Sequence, residues 1–249
     1  MRAVSLLVPV CLAVTLPARA EMTDDEARAQ FVASNMIATF YHEFGHALVD
    51  LLDIPVLGRE EDAVDALSTL LVDLLWEPGD AEILIAEVAY GYALRIAHED
   101  ALDDSVWWAE HALDEQRLAA MVCQFFGADP EARLELAVDL GMPGDMTESC
   151  IHVSGQLADS WAVFLDDLID TRQAHGLDLL EPAADAALAD LLREEIALIN
   201  ALFGLPVPVD VSVESCGEAN AFYDPALTLI IMCTELAQWY GDAWDADDP

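Results

Sequence analysis

From Glu26 to Asp53 apolar residues recur at helical spacing, with Phe31, Phe40, Phe44, Leu48 and Leu51 on or near one stripe. Two histidines four residues apart, His42 and His46, lie in the same stretch. The first element is therefore expected to be a long helix that buries its apolar stripe. Asp24 and Asp25 stand where a cap is needed, and Ile54-Pro55-Val56-Leu57-Gly58 ends the pattern. The rest of the chain must supply a core for this helix. Of its 249 residues 55% are hydrophobic, which excludes disorder as the main state even though the formal net charge is −39. That charge comes from 48 acids set against nine arginines and no lysine. Such a surface repels phosphate, so nucleic acid and anionic bilayers are poor partners. The acidity fits a high-salt habitat, genome composition or attraction of cations, and the sequence leaves all three open.

Further helical patterns fall at 59–76, 81–99, 104–126, 130–140, 154–174 and 184–203. Residues 207–213 alternate apolar and polar side chains as a strand does, and Pro208 marks it as an edge strand. Residues 227–233 form a second β-capable run, with Asp224-Pro225 as a turn between the two. The expected fold class is mainly α (α+β), a helical body with a small C-terminal β-hairpin unit. The length suits one domain over 21–249.

Residues 1–20 read as a signal peptide. Arg2 is followed by an apolar run from Ala3 to Leu16, and Ala18-Arg19-Ala20 is a cleavage signal. No later apolar run reaches membrane-spanning length without charges. An exported protein, periplasmic or secreted, is expected. Its four remaining cysteines then suggest two disulfides, for which the local pairs Cys123–Cys150 and Cys216–Cys233 are favoured. No C-x-x-C spacing offers a cysteine metal site.

The chemistry centres on His42-Glu43-Phe44-Gly45-His46, an H-E-x-x-H sequence. Residues i and i+4 share a helix face, so both imidazoles can reach one metal ion, with Glu43 beside them as general base. In a chain of this composition the pattern arises by chance on the order of 1% of the time, so it is informative. A catalytic zinc site needs a third protein ligand. The break at Pro55–Gly58 turns the chain back and brings Glu60-Glu61-Asp62-Ala63-Val64-Asp65 toward the first helix. Glu61 and Asp65 share a face. Glu61 is the expected third ligand, and Asp65 the carboxylate that orients a ligating histidine. Glu60 and Asp62 point elsewhere on the wheel and are expected to be solvated acids of the helix N-terminus.

Phe40–Leu48 and Pro55–Ala63, together with Trp107–Arg117, Gly127–Pro130 and Cys216–Pro225, resemble a family of bacterial exported metallopeptidases. The resemblance covers most of the mature chain and implies a zincin-like helical body. Glu61-x-x-x-Asp65 also resembles the ligand helix of gluzincin peptidases, with a departure in spacing: only 14 residues separate His46 from Glu61. The reading is a zinc metallopeptidase acting on peptide or protein substrates. His42, His46 and Glu61 hold Zn²⁺, Glu43 is the general base and Asp65 supports a ligand. His111, Tyr223 and Arg117 are candidate donors to the oxyanion. His111 is placed on a helix three residues before Asp114 and can pair with it. Asn220–Tyr223 is either a loop at the cleft mouth or a hairpin connection. Trp107 and Trp108 are expected to pack. The alternative is a non-enzymatic envelope protein whose zinc site serves stability or partner binding.

Overall fold

A computed structural model describes residues 22–98, 107–171 and 175–247. The signal-peptide expectation for residues 1–20 lies outside the described residues. Helix α1 (Asp24–Leu51) is the spine of the fold. Its cap is Thr23, not the two aspartates after it. The Thr23 hydroxyl accepts the Glu26 N–H at 3.3 Å, and the Glu26 carboxylate accepts the Thr23 N–H at 2.8 Å. This reciprocal box satisfies two N–H groups that the helix leaves unpaired. Phe31, Met36, Phe40, Tyr41, Phe44 and Leu48 of α1 are fully buried, because neighbours enclose the helix on several sides.

Helices α2 (Glu60–Leu75) and α3 (Pro78–His98) pack on α1. Helix α4 (Asp114–Ala128) rests on α2 and α3, followed by the short α5 (Leu134–Asp139). Helix α6 (Thr147–Thr171) lies along α4. The α1–α2 contact is unusually close. A Cβ added at Gly45 would stand 2.8 Å from the Cβ of Val64, so only glycine lets the two backbones approach this far. Two side-chain bonds hold α2 in this place. Ser68 donates to the Ala38 carbonyl of α1 at 2.8 Å, and Gln124 of α4 donates to the Ala66 carbonyl at 2.7 Å.

Strand β1 (Leu177–Leu179) leads through α7 (Ala186–Leu202) to β2 (Val209–Glu214), then β3 (Ala221–Asp224), β4 (Leu229–Cys233) and α8 (Thr234–Asp247). The sheet order is β1-β2-β4-β3. The β1–β2 and β2–β4 pairs are parallel, and β3–β4 is antiparallel. The chain is thus mainly α with a small mixed sheet, as its sequence suggests. Two local expectations are corrected. The runs at 207–213 and 227–233 do not form a hairpin with each other, since the hairpin is β3–β4. Strand β2 is central, because Pro208 precedes its first residue and interrupts no ladder bond.

Cys123–Cys150 joins α4 to α6, and Cys216–Cys233 joins the loop after β2 to the last residue of β4. Both expected pairs are present, and such bonds belong to an oxidising, non-cytoplasmic compartment. Among the described residues no helix is long and apolar enough to cross a membrane.

Candidate metal centre

His42 and His46 rise from one face of α1, with ring centroids 4.9 Å apart and Nε2 atoms separated by 3.3 Å. Across the Gly45–Val64 contact, Glu61 of α2 points its Oε2 at both rings, 3.2 Å from His42 Nε2 and 3.5 Å from His46 Nε2. A third imidazole joins them. His111 Nε2 lies 2.8 Å from the same oxygen, and its ring stacks on that of His42. Glu61 Oε2 is buried and makes no hydrogen bond of acceptable geometry, although three ring nitrogens surround it. Three imidazole nitrogens and a carboxylate oxygen that converge on one point are a donor set suited to a cation. One donor atom each from His42, Glu61 and His111 lie within 4.8 Å of one another, and His46, outside that tightest group, brings its Nε2 within 3.5 Å of Glu61 Oε2. The residues therefore fit a bound metal of the kind that imidazole and carboxylate select.

The backs of the two helix histidines are fixed by carboxylates. His42 Nδ1 is 2.8 Å from Asp65, and His46 Nδ1 is 2.8 Å from Glu60. Such bonds set the tautomer and turn Nε2 toward Glu61, where a metal would be held. Asp65 is held in turn by Arg117, which donates from Nε at 2.7 Å and from a terminal nitrogen at 2.8 Å. Asp65 thus stands where the sequence places it, against His42. Glu60 corrects the sequence expectation, because it contacts His46 and is not merely a solvated acid. The register explains this. The helices run antiparallel, so a step of one turn forward on α1, from His42 to His46, matches a turn backward on α2, from Asp65 toward Glu60. That relation is readable from the sequence once the two helices are paired.

Charge in the site follows from these contacts. Burial opposes ionisation of Glu61, but His111, His42 and His46 outweigh it and hold its carboxyl far below the usual range. Burial likewise opposes a charge on His42, yet Asp65 and Glu61 raise its pKa to about 9. For Asp65, burial is outweighed by Arg117 and His42, so its pKa is lowered. Glu43 is buried, and that burial raises its pKa against the pull of His42 and His46.

A cavity of about 700 Å³ opens beside the cluster, lined by His42, Glu43, Asp65, His111, Arg117 and Asn220 among others. The other sequence candidates fall differently. His111 is on the loop before α4, not on a helix, and Asp114 pairs with Arg95 and Arg117 instead of with His111. Arg117 is committed to Asp65 and so supports a histidine. Tyr223 does not line the cavity; its hydroxyl donates to Asp50 at 2.9 Å. Asn220 and Ala221, at the start of β3, do reach the cavity. Trp107 and Trp108 are not packed but 65% and 88% exposed, on the segment that leads to His111.

No curated protein and no solved structure matches the chain. The sequence profile of the family described as "Putative metallopeptidase" (DUF4344) matches residues 13–165 and 184–248, and the protein belongs to that family.

Proposed function

We propose that this protein is an exported zinc-dependent peptidase, with His42, His46 and Glu61 as metal ligands and Glu43 as general base. The observation that carries this reading is the convergence of imidazole nitrogens on the unbonded Glu61 oxygen, beside a buried Glu43 that lines a 700 Å³ cavity. Zinc in such a donor set acts as a Lewis acid, polarising a peptide carbonyl and making water a stronger acid. Glu43 takes the proton of the attacking water on its carboxylate and passes it to the leaving amine nitrogen. Asp65 and Glu60 are positioning residues. They hold the His42 and His46 rings in the tautomer that presents a lone pair at Nε2, and Arg117 holds Asp65. The cysteine pairs and the Ala3–Ala20 segment support export. The acidity of the chain favours neutral or basic peptides over acidic ones.

A second reading has one observation in its favour. His111 is close enough to supply a fourth protein donor, as a closed structural site would have. The large cavity beside Glu43 favours catalysis instead. Chelation followed by zinc addition separates the two. A peptidase loses cleavage of a mixed peptide library on chelation and regains it with zinc. A closed structural site gives no cleavage in either state and loses folded structure on chelation.

A further inference from the structure

We propose that His111 is a detachable ligand of this centre, closing the coordination of the metal in the resting protein and giving way when substrate enters. The inference rests on the metal-centre reading above and adds a moving part to it. His111 Nε2 approaches Glu61 Oε2 more closely than either helix histidine does, at 2.8 Å against 3.2 and 3.5 Å. It therefore belongs to the donor set.

Its anchoring differs from that of the other two rings. His42 and His46 sit within α1 and each has its Nδ1 on a carboxylate. Among the described residues nothing hydrogen-bonds Nδ1 of His111. Its side chain is 49% exposed, against 9% and 17% for His42 and His46. It is carried by a loop on which Trp107 and Trp108 are also exposed. A ring bonded through both nitrogens is fixed at two points, whereas the His111 ring is held through Nε2 and by stacking on His42, and turning away releases both contacts. Release exchanges one neutral donor for another. The Nε2 lone pair of His111 leaves and an oxygen lone pair of water or of the substrate carbonyl replaces it, with no change of oxidation state.

The test uses the full mature chain loaded with Co²⁺, whose visible bands report the ligand set, and acetohydroxamate as a probe of the exchangeable position. In His111→Ala the bands should shift, and acetohydroxamate should bind more tightly, by about tenfold where the position is free in about one wild-type molecule in ten. Identical spectra and affinities in the two proteins would overturn the proposal. Failure of the underlying reading looks different: Co²⁺ would then not bind the wild type, or would bind His46→Ala equally well. A measurement without substitution covers any effect on folding. ¹⁵N-histidine spectra of the zinc-loaded wild type should show three metal-bound imidazoles alone and two with acetohydroxamate. Three in both states, or two in both, would overturn it.

Discussion

Replacing Gly45 by alanine should impair the metal centre through the distance between two helices, with no ligand touched. The new Cβ would lie 2.8 Å from Val64 Cβ and 2.9 Å from its Cγ1. Carbon atoms in contact prefer about 3.5–4.0 Å, so α1 and α2 must part by about 0.7–1.2 Å. Val64 is fully buried and its Cβ is fixed to the backbone, so a rotamer change cannot relieve the contact. Overpacking of this kind costs about 1–3 kcal/mol. Alanine returns about 1 kcal/mol through its better helix propensity, which leaves a modest net loss of about 0–2 kcal/mol. The effect on the metal should be larger than the effect on stability. Glu61 rides on α2 while His42 and His46 ride on α1, and metal–ligand distances tolerate only about 0.2 Å. Zinc affinity should therefore fall at least about tenfold. Competition against a chromophoric chelator measures that affinity, and urea unfolding measures the stability. The double variant Gly45→Ala/Val64→Gly removes the Val64 side chain that the new methyl meets and should recover most of the affinity, at a further cost in stability from the buried carbons lost. An unchanged zinc affinity in Gly45→Ala would refute the claim that close helix approach sets the ligand geometry.

Three further outcomes are expected. Asp65→Ala and Glu60→Ala should each weaken zinc binding by about 10–100-fold, since each frees a ligand ring, while Asp62→Ala should not; the chelator competition would read all three. Arg117→Leu should destabilise the fold by about 3 kcal/mol in urea unfolding, because it leaves Asp65 mostly buried without its cation. Glu195, buried against the Tyr41 hydroxyl, has its pKa pushed by burial from 4.5 up to about 7. The folded state thus favours its protonated form, so that stabilisation is full below pH 4.5 and is lost as pH rises through 7. The wild type should lose about 3 kcal/mol relative to Glu195→Gln over that interval, and parallel pH profiles of the two proteins would contradict the assignment.

The parts of the site that repeat along a single helix are legible in the sequence. The i, i+4 spacing brings His42 to His46 and Glu61 to Asp65, and the structure keeps all four together. What depends on two elements meeting is less legible. Glu60 reaches His46 only through the antiparallel register of α1 and α2. Gly45 reads as an unremarkable residue within the motif until Val64 stands against it. His111 is visible as a candidate oxyanion donor on a helix, but the helical pattern that runs through it hides the loop that lets it reach Glu61. The helices themselves follow apolar periodicity closely. Helix α8 escapes attention although Leu236, Tyr240 and Ala243 recur at its buried face. Strands β1 and β3 are three and four residues long, too short for alternation to announce them.

The most direct test of the account is Glu43→Gln, measured for zinc content and for peptide-library cleavage on the same preparation. Glu43 lines the cavity but is not among the side chains that meet at Glu61 Oε2, so its loss should leave the metal bound. Glutamine keeps the size of the side chain but cannot accept a proton, which removes general-base help of about 10²–10⁴-fold. The account predicts one zinc per chain in both proteins, cleavage by the wild type, and almost none by the variant. Full cleavage by zinc-loaded Glu43→Gln, or no cleavage of any peptide by the zinc-loaded wild type, would contradict it.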